Sequence, residues 1–177
     1  MKIRILAAGG TIDAGQYDFK EGKVISFADP AVSHILKDGR VRNIHTMPVE
    51  PITDTDADIF VLERKDSLDM TDEDRKRILQ MCLLDTRDRI LITHGTDTMT
   101  KTGELLEKNI KDKTIVLTGS MRPYTSSESD ASFNLGGALI ATETLPHGVY
   151  IVIQGEVFRV GEVQKIRTEG DPHFERK

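Results

Sequence analysis

Hydroxyl and carboxylate side chains follow an apolar run near the middle of the chain. Residues 90–92 are Ile-Leu-Ile, Thr96, Asp97 and Thr98 come shortly after, and a helical pattern follows at 105–110. An open α/β sheet carries its ligand-binding groups in this order of strand, glycine-containing turn and helix. Such a turn can offer side-chain oxygens together with helix N–H groups. The alternative is a helix N-cap, where Thr and Asp are common for structural reasons.

A second turn of the same kind lies at the N-terminus. The apolar stretch 2–8 reads as a buried strand, and Gly9, Gly10 and Thr11 follow where it would end. Two glycines let the backbone approach a ligand closely, and Thr11 adds a hydroxyl at that rim. A phosphate-binding loop is disfavoured, because neither G-x-G-x-x-G nor G-x-x-x-x-G-K-[ST] is present.

A lysine is the group that could activate these hydroxyls. A threonine hydroxyl is a weak nucleophile until a base takes its proton, and a desolvated lysine beside Thr96 could do so while Asp97 holds it in place. Lys165 follows the last clear strand and is expected at the carboxyl edge of the sheet, whereas Lys113 precedes its strand and is expected at the amino edge. The alternative for Lys165 is a solvated surface charge.

These residue types favour acyl transfer or amide hydrolysis. Backbone N–H groups at Thr11 and Thr96 could receive the oxyanion of an acyl-transfer intermediate. His94 is a possible general base, but the sequence places no Ser or Cys for it, so a hydrogen-bonded turn histidine is the favoured interpretation.

The elements that must position these groups alternate along the chain. Apolar runs at 2–8, 41–47, 59–62, 89–93, 114–118 and 149–153 read as strands, and helical patterns separate most of them. This alternation predicts a three-layer α/β fold, a mainly parallel sheet with helices on both faces. Thr11, Thr96 and Gly119 would then lie at the carboxyl edge of the sheet.

Weaker signals give further expectations. Asp29 is a candidate N-cap with Pro30 at the first helical position, and Thr71 with Asp74 resembles a capping box. Residues 13–23 lack periodicity and read as a mobile loop, which would be a lid in an enzyme and otherwise an ordinary surface loop. Residues 154–167 are weakly patterned, and 171–177 are expected to be exposed.

Composition excludes several classes of protein. The chain has 177 residues, which suits one domain, with 38% hydrophobic and 30% charged residues and a net charge of −5. The acidic balance disfavours nucleic acid and anionic membranes, and no run approaches the length of a membrane span. The single Cys82 fits core packing and a reducing, cytoplasmic compartment. Asp54, Asp56 and Asp58 read as a solvated face rather than a metal site.

Six segments in order resemble the N-terminal domain of bacterial-type (type I/II) L-asparaginases, over roughly residues 1–168. The two signature segments are 8–12 (Ala-Gly-Gly-Thr-Ile) and 93–99 (Thr-His-Gly-Thr-Asp-Thr-Met), and the others are 67–70, 119–123, 133–135 and 163–165. The resemblance implies a flavodoxin-like α/β sheet, no metal or organic cofactor, and a homodimer or higher homo-oligomer in which subunits share sites.

The resemblance also implies roles for particular residues. Thr11 matches the acylated nucleophile, and Thr96, Asp97 and Lys165 match a second catalytic cluster in which Asp97 also holds the α-ammonium of the substrate. Ser67 matches the residue that binds the α-carboxylate. Tyr17 is named as the lid tyrosine, although counting back from residues 22–24 places Phe19 at the expected position. The substrate-binding positions are Gly10, Asp66, Ser67, Gly95, Thr96, Asp97 and Ser120.

The sequence departs from the family pattern in two ways. Family members usually carry a second, C-terminal domain, and an acidic residue from a neighbour's C-terminal domain normally completes the site, whereas this sequence is similar to a shorter single-domain branch. In addition, Leu68 stands where many relatives have Gln, which predicts an altered grip on the substrate carboxylate.

The leading hypothesis is therefore an amidohydrolase that converts L-asparagine to L-aspartate and ammonia through a threonyl ester. One alternative is a non-catalytic amino-acid-binding domain. Another is an amidase or glutaminase that acts on a different amide, such as a glutaminyl group on a carrier or RNA, and the acidic charge counts against RNA.

Overall fold

A computed structural model describes residues 3–42, 58–168 and 172–177 of the chain. Strands and helices alternate through most of these ranges, as the sequence predicts. In chain order the elements are β1 (Arg4–Ala7), a 3-10 turn (Thr11–Asp13), β2 (Ala14–Asp18), β3 (Lys23–Phe27), α1 (Ala31–Asp38), β4 (Ile59–Val61), α2 (Asp72–Leu84), β5 (Arg89–Thr93), α3 (Met99–Asn109), β6 (Thr114–Thr118), α4 (Ala131–Thr144), β7 (Gly148–Ile153), β8 (Glu156–Arg159), β9 (Val163–Ile166) and β10 (His173–Arg176).

The central sheet has the strand order β4-β1-β5-β6-β7-β8. Every neighbouring pair is parallel except β7 with β8, which is antiparallel. The chain leaves β1 towards β4 and then returns to the other side of β1 to form β5. The order of the strands therefore reverses between β1 and β5, and such a switch point is where open α/β sheets bind ligands.

Helices cover both faces of the sheet and give the predicted three layers. Helices α2 and α3 pack on one face, where Leu6 and Ile92 point into a cluster with Ile78 of α2. Helices α1 and α4 pack on the other face, where Ile5 and Leu91 lie in the second cluster. Because both faces are buried, the strands are continuous apolar runs rather than alternating ones.

Residues 13–23 were expected to form a mobile loop, and that prediction was wrong. They form β2 and the turn of a hairpin in which Tyr17 pairs with Val24 of β3. Register irregularities interrupt β2, and most of its side chains are exposed or half-buried. A bulged, polar strand lacks the period-two pattern that marks a strand in a sequence, which explains the error.

The C-terminal segment is also more ordered than its sequence indicates. Strands β9 and β10 form an antiparallel hairpin in which Lys165 lies opposite Phe174. Phe174 is only 5% exposed and belongs to the core cluster on the α2 and α3 face. The expectation that residues 171–177 are exposed was therefore wrong for Phe174, because one buried aromatic side chain ties β10 to the domain.

The two helix starts that the sequence marked have different outcomes. Thr71 and Asp74 form the predicted capping box at the start of α2. Pro30, not Asp29, occupies the N-cap position of α1, and Asp29 is exposed. The first N–H of α1 instead donates to Asp13 Oδ1 at 2.8 Å, so the helix is capped by a residue distant in sequence. A cap from a residue so distant in the sequence leaves no signal in the residues next to the start of the helix.

The remaining expectations from the sequence also have mixed outcomes. Cys82 is fully buried in the core, as predicted. Asp58 was expected on a solvated face, but it is 3% exposed and its carboxylate lies 3.2 Å from the Arg87 guanidinium. The predicted strand at 41–47 falls almost wholly outside the described residues, and Asp54 and Asp56 fall wholly outside them. No helix in the described ranges is long and apolar enough to cross a bilayer.

Asp13 makes the stability of the fold dependent on pH. Burial raises the pKa of its carboxyl from the ordinary value of 3.8 to about 7, although the Ala31 N–H and the nearby Arg64 charge oppose the shift. The unfolded chain then loses this proton above about pH 4 while the folded chain keeps it until about pH 7, so stability falls by about 1 kcal/mol per pH unit between those values.

We expect Asp13→Asn to remove this pH dependence, because the amide oxygen can still accept from Ala31 without an ionisable proton. Between about pH 5 and about pH 7 the free energy of unfolding of the parent should fall by roughly 2 kcal/mol more than that of the variant. Urea denaturation at both pH values measures the difference, and Asp112→Asn at an exposed position controls for the loss of one charge. Parallel pH profiles for parent and Asp13→Asn would contradict the assignment.

Candidate active site

Glycines bring three turns into direct contact at the switch point. Gly10 has a φ of 91°, and a Cβ built on it would lie 2.4 Å from the Cα of Gly95. A Cβ on Gly95 would in turn lie 2.5 Å from the Cβ of Ser67. A side chain on Gly10 would separate the turns that follow β1 and β5, and a side chain on Gly95 would separate the turn after β5 from the turn that carries Ser67. The residues nominated from the sequence therefore meet because two of their neighbours have no side chain.

Thr11 lies at the start of the 3-10 turn after β1, and its hydroxyl is hydrogen-bonded to the phenol of Tyr17. The pKa of Tyr17 is raised above its ordinary value, first by burial and then by the negative charges of Asp97, Asp66 and Asp18. Tyr17 therefore carries its proton at neutral pH. Phe19, the other candidate for the lid position, packs edge-to-face against the Tyr17 ring at 5.1 Å and is itself 64% exposed.

Thr96, Asp97 and Lys165 form a second cluster beside this pair. Lys165 Nζ donates to Thr96 Oγ1 and to Asp97 Oδ1, both at 2.6 Å. Thr96 is buried, and the side chains of Lys165 and Asp97 are only 12% and 17% exposed. Helix α3 begins at Met99 after Thr98, so Thr96 and Asp97 lie before the helix and bind Lys165 instead of capping it.

Lys113 lies at the opposite edge of the sheet, as predicted. Its Nζ donates to the backbone carbonyls of Asp85 and Arg87 near the amino ends of the strands. It is therefore bound to the loop that precedes β5 and has no part in the candidate site.

Ser67 and Asp66 form the third turn. The Asp97 N–H donates to Ser67 Oγ at 3.2 Å, and Ser67 is 1% exposed. The two carboxylate oxygens of Asp66 accept from the backbone N–H groups of Val24, at 3.2 Å, and Leu68, at 3.1 Å. Asp66 thus attaches the hairpin that carries Tyr17 to the turn that carries Ser67, and this contact positions the hairpin over the site.

Residues at the start of α4 hold Ser120 and the turn after β6 in position. Ser120 Oγ donates to the carbonyl of Arg122, within its own turn. The Asp130 carboxylate accepts from the N–H groups of Met121 and Arg122, and the Asn134 amide donates to the Gly119 carbonyl at 3.0 Å. These contacts fix the rim of the site next to β5.

His94 is a structural residue, as the sequence favoured. Its Nδ1 pairs with the Gly95 carbonyl and its Nε2 with the Thr102 hydroxyl, both at 2.8 Å. Complete burial lowers the pKa of His94 to about 4. The ring is therefore neutral and fixed, and it cannot act as a general base for a group in the site.

The arrangement combines two hydrogen-bonded pairs with complementary chemistry. Thr11 with Tyr17 is a hydroxyl beside a protonated phenol, and Thr96 with Lys165 is a hydroxyl beside an amine with a carboxylate counter-ion. Paired groups of this kind can pass a proton to and from an oxygen nucleophile. Among the described residues no group of three or more His, Cys, Asp or Glu side chains is placed to hold a metal ion.

Comparison with known proteins assigns the chain to a family. The family model for the N-terminal part of asparaginases matches residues 2–177. This chain belongs to the asparaginase family. It is 34% identical over 176 residues to L-asparaginase 2 of Escherichia coli, and the match covers 94% of this chain and 47% of that protein.

Solved structures of asparaginases share the fold. The thermostable L-asparaginase from Thermococcus kodakarensis matches with a TM-score of 0.70 and 29% identity, over 94% of this chain and 48% of that one. A probable cytoplasmic L-asparaginase from Campylobacter jejuni matches with a TM-score of 0.65 and 30% identity, over 92% and 47%. The chain thus spans about half the length of the asparaginases that it matches.

Sequence reasoning missed one charged residue at this asparaginase-type site. Arg167 Nη2 lies 2.8 Å from Asp97 Oδ1, the same oxygen that accepts from Lys165. Arg167 directly follows the end of β9 and stands two residues after Lys165, a spacing that places both side chains on one face of an extended segment. The Lys-x-Arg spacing was therefore a usable signal. Asp130, which sequence reasoning also missed, gave no comparable signal, because it holds its turn through the backbone N–H groups of Met121 and Arg122.

The packing of Gly95 gives a direct test of this geometry. In Gly95→Ala the new methyl would overlap Ser67, so the two turns must move apart and the bond from the Asp97 N–H to Ser67 Oγ should break. We expect a loss of about 1–3 kcal/mol in stability, measured by urea denaturation. Gly136→Ala is the matched control, since nothing lies within 4 Å of its added methyl, and it should gain about 0.5–1 kcal/mol as a better helix former. Equal stability of Gly95→Ala and the parent would refute the close approach.

Proposed function

We propose that this chain is an L-asparaginase that hydrolyses the side-chain amide of L-asparagine to L-aspartate and ammonia through an ester on Thr11. The observation that carries the proposal is the pairing of the Thr11 hydroxyl with Tyr17 beside a Thr96–Lys165–Asp97 cluster, at the switch point of the sheet. Membership of the asparaginase family supports the same reaction.

In the first half of the proposed reaction, Thr11 Oγ attacks the amide carbon. Tyr17 accepts the hydroxyl proton and gives its own phenolic proton to the leaving nitrogen, so ammonia departs and an aspartyl ester remains on Thr11. A neutral phenol suits this relay, because it can donate as it accepts. Backbone N–H groups of the turns that hold Thr11 and Thr96 stabilise the oxyanion.

In the second half, a water held by Thr96 attacks the ester carbon. The Thr96–Lys165 pair accepts a proton from the water and returns one, by way of Tyr17, to the Thr11 oxygen as the ester breaks, so the charge of the pair is unchanged. The Asp97 carboxylate, which accepts from Lys165 Nζ at 2.6 Å, holds the amine beside Thr96. Hydroxyls, an amine and a carboxylate supply every proton transfer, so the proposal names no cofactor.

Recognition of the amino acid is assigned to the turns that Gly10 and Gly95 bring together. Asp97 binds the α-ammonium of the substrate, and Ser67 binds its α-carboxylate. Ser120 and Asp66 act by holding the rim and the hairpin, since their oxygens already have protein partners. Leu68 is 53% exposed and adds no hydrogen bond where many relatives have Gln.

Assembly and compartment stay predictions of the sequence. A homodimer or higher homo-oligomer and a cytoplasmic location are proposed together with the activity. The buried Cys82 fits a reducing compartment, and one structural neighbour is described as a probable cytoplasmic enzyme.

The proposal predicts that Thr11→Val abolishes ammonia release from L-asparagine. Valine keeps the shape of the side chain but cannot form an ester, so kcat should fall by about 1000-fold or more. Tyr17→Phe, which removes only the proton relay, should lose about 10- to 1000-fold. Thr144→Val, at an exposed position in the last turn of α4, should match the parent.

Hydroxylamine distinguishes the ester route from direct attack by water. The parent should form β-aspartyl hydroxamate from L-asparagine, because the acyl group can be captured by a second nucleophile.

A parent that binds aspartate but releases no ammonia would be the non-catalytic binding domain, and the proposal would fail. An active Thr11→Val variant would remove Thr11 from the nucleophile role.

A further inference from the structure

Three charged side chains meet at one carboxylate oxygen in the candidate site. Asp97 Oδ1 accepts from Lys165 Nζ at 2.6 Å and lies 2.8 Å from Arg167 Nη2. Lys165 is 12% exposed and is also bound to Thr96, whereas Arg167 is 59% exposed. Arg167 is therefore the more weakly held of the two cations, and it covers Asp97 from the solvent side.

This arrangement changes the charge that an incoming ligand meets. One carboxylate oxygen of Asp97 is already paired with two cations before any ligand binds, and Asp66 is the other acidic group of the site. A ligand ammonium must bind the other carboxylate oxygen beside two like charges or displace Arg167. A ligand carboxylate meets the opposite situation, since the guanidinium is a strong donor to it.

We propose that Arg167 determines substrate selection at this site by disfavouring an α-ammonium and favouring amides recognised through a carboxylate alone. The inference rests on the proposed function, since it concerns the group that Asp97 binds there. The structure assigns Arg167 this role through its contact with Asp97. It has no part in the proposed proton transfers, which use Thr11, Tyr17 and the Thr96–Lys165 pair.

The test compares L-asparagine with succinamate, which is asparagine without its α-amino group. Arg167→Gln removes the charge and leaves a shorter polar side chain. We expect kcat/KM for L-asparagine to rise about three- to ten-fold, mainly through a lower KM. This is the size of effect expected when one positive charge near the α-ammonium is removed at a partly solvated site. For succinamate, kcat/KM should stay unchanged or fall. The ratio of the two kcat/KM values should therefore rise in the variant.

Two further variants separate charge from structure. Arg167→Lys keeps the positive charge and should keep the ratio near that of the parent. Arg176→Gln removes an arginine of similar exposure, 61%, whose ion pair is with Glu156 of β8; its ratio should equal that of the parent. High ionic strength should bring the kcat/KM ratios of Arg167→Gln and the parent closer together, since an exposed charge is screened by salt.

The outcomes distinguish this inference from the proposed function. Titration calorimetry with L-aspartate and with succinate measures the same preference through binding, even if turnover is slow. Suppose that the parent turns over or binds these ligands, but that Arg167→Gln changes the preference for the ligand with an α-ammonium by less than two-fold or lowers it. That result overturns the role of Arg167 and leaves the proposed function standing. A parent that neither turns over nor binds any of these ligands overturns the proposed function, and the selection role with it.

Discussion

The backbone contact between Gly10 and Gly95 is the constraint on which the candidate site depends. The turns that follow β1 and β5 leave adjacent parallel strands. A Cβ on Gly10 would lie 2.4 Å from the Gly95 Cα, so the contact leaves no room for a side chain there. If Gly10 carried a β-carbon, Thr11 and Thr96 would move apart. The site is therefore a consequence of strand order, which makes β1 and β5 neighbours, and of two glycines, which let their turns touch.

Elements outside the parallel sheet complete the site from two sides. The β2–β3 hairpin brings Tyr17 to Thr11, and Asp66 holds that hairpin through the Val24 N–H. The β9–β10 hairpin brings Lys165 to Thr96, and buried Phe174 anchors it in the core. Each hairpin thus presents a functional side chain and has a buried contact that helps to fix its position. The sheet supplies the hydroxyls, and the hairpins supply the groups that can accept or donate their protons.

The sequence predicted the sheet and its edge better than it predicted the hairpins. Long apolar runs such as β5 and β6 are buried on both faces, so composition alone marks them, and the turns after β1 and β5 carry distinctive residues. The resemblance names Tyr17, while the pattern of residues 13–23 predicts a loop instead of a hairpin, because bulges break the alternation of β2. Asp13 and Asp66 work through backbone N–H groups far along the chain, a contact that side-chain patterns do not reveal.

Recognition and chemistry are separable at this site, and Leu68, one of the departures from the asparaginase pattern, falls on the recognition side. Thr11, Tyr17, Thr96 and Lys165 would act on the amide, and their hydrogen bonds form two closed pairs. Leu68 and Arg167 flank Ser67 and Asp97, the groups assigned to the two charged ends of the amino acid. A cation at Asp97 changes the electrostatics of binding without changing the geometry of the Thr96–Lys165 pair, because Arg167 lies on the solvent side of the carboxylate. Substrate preference can therefore shift in this chain while the reacting groups stay as they are.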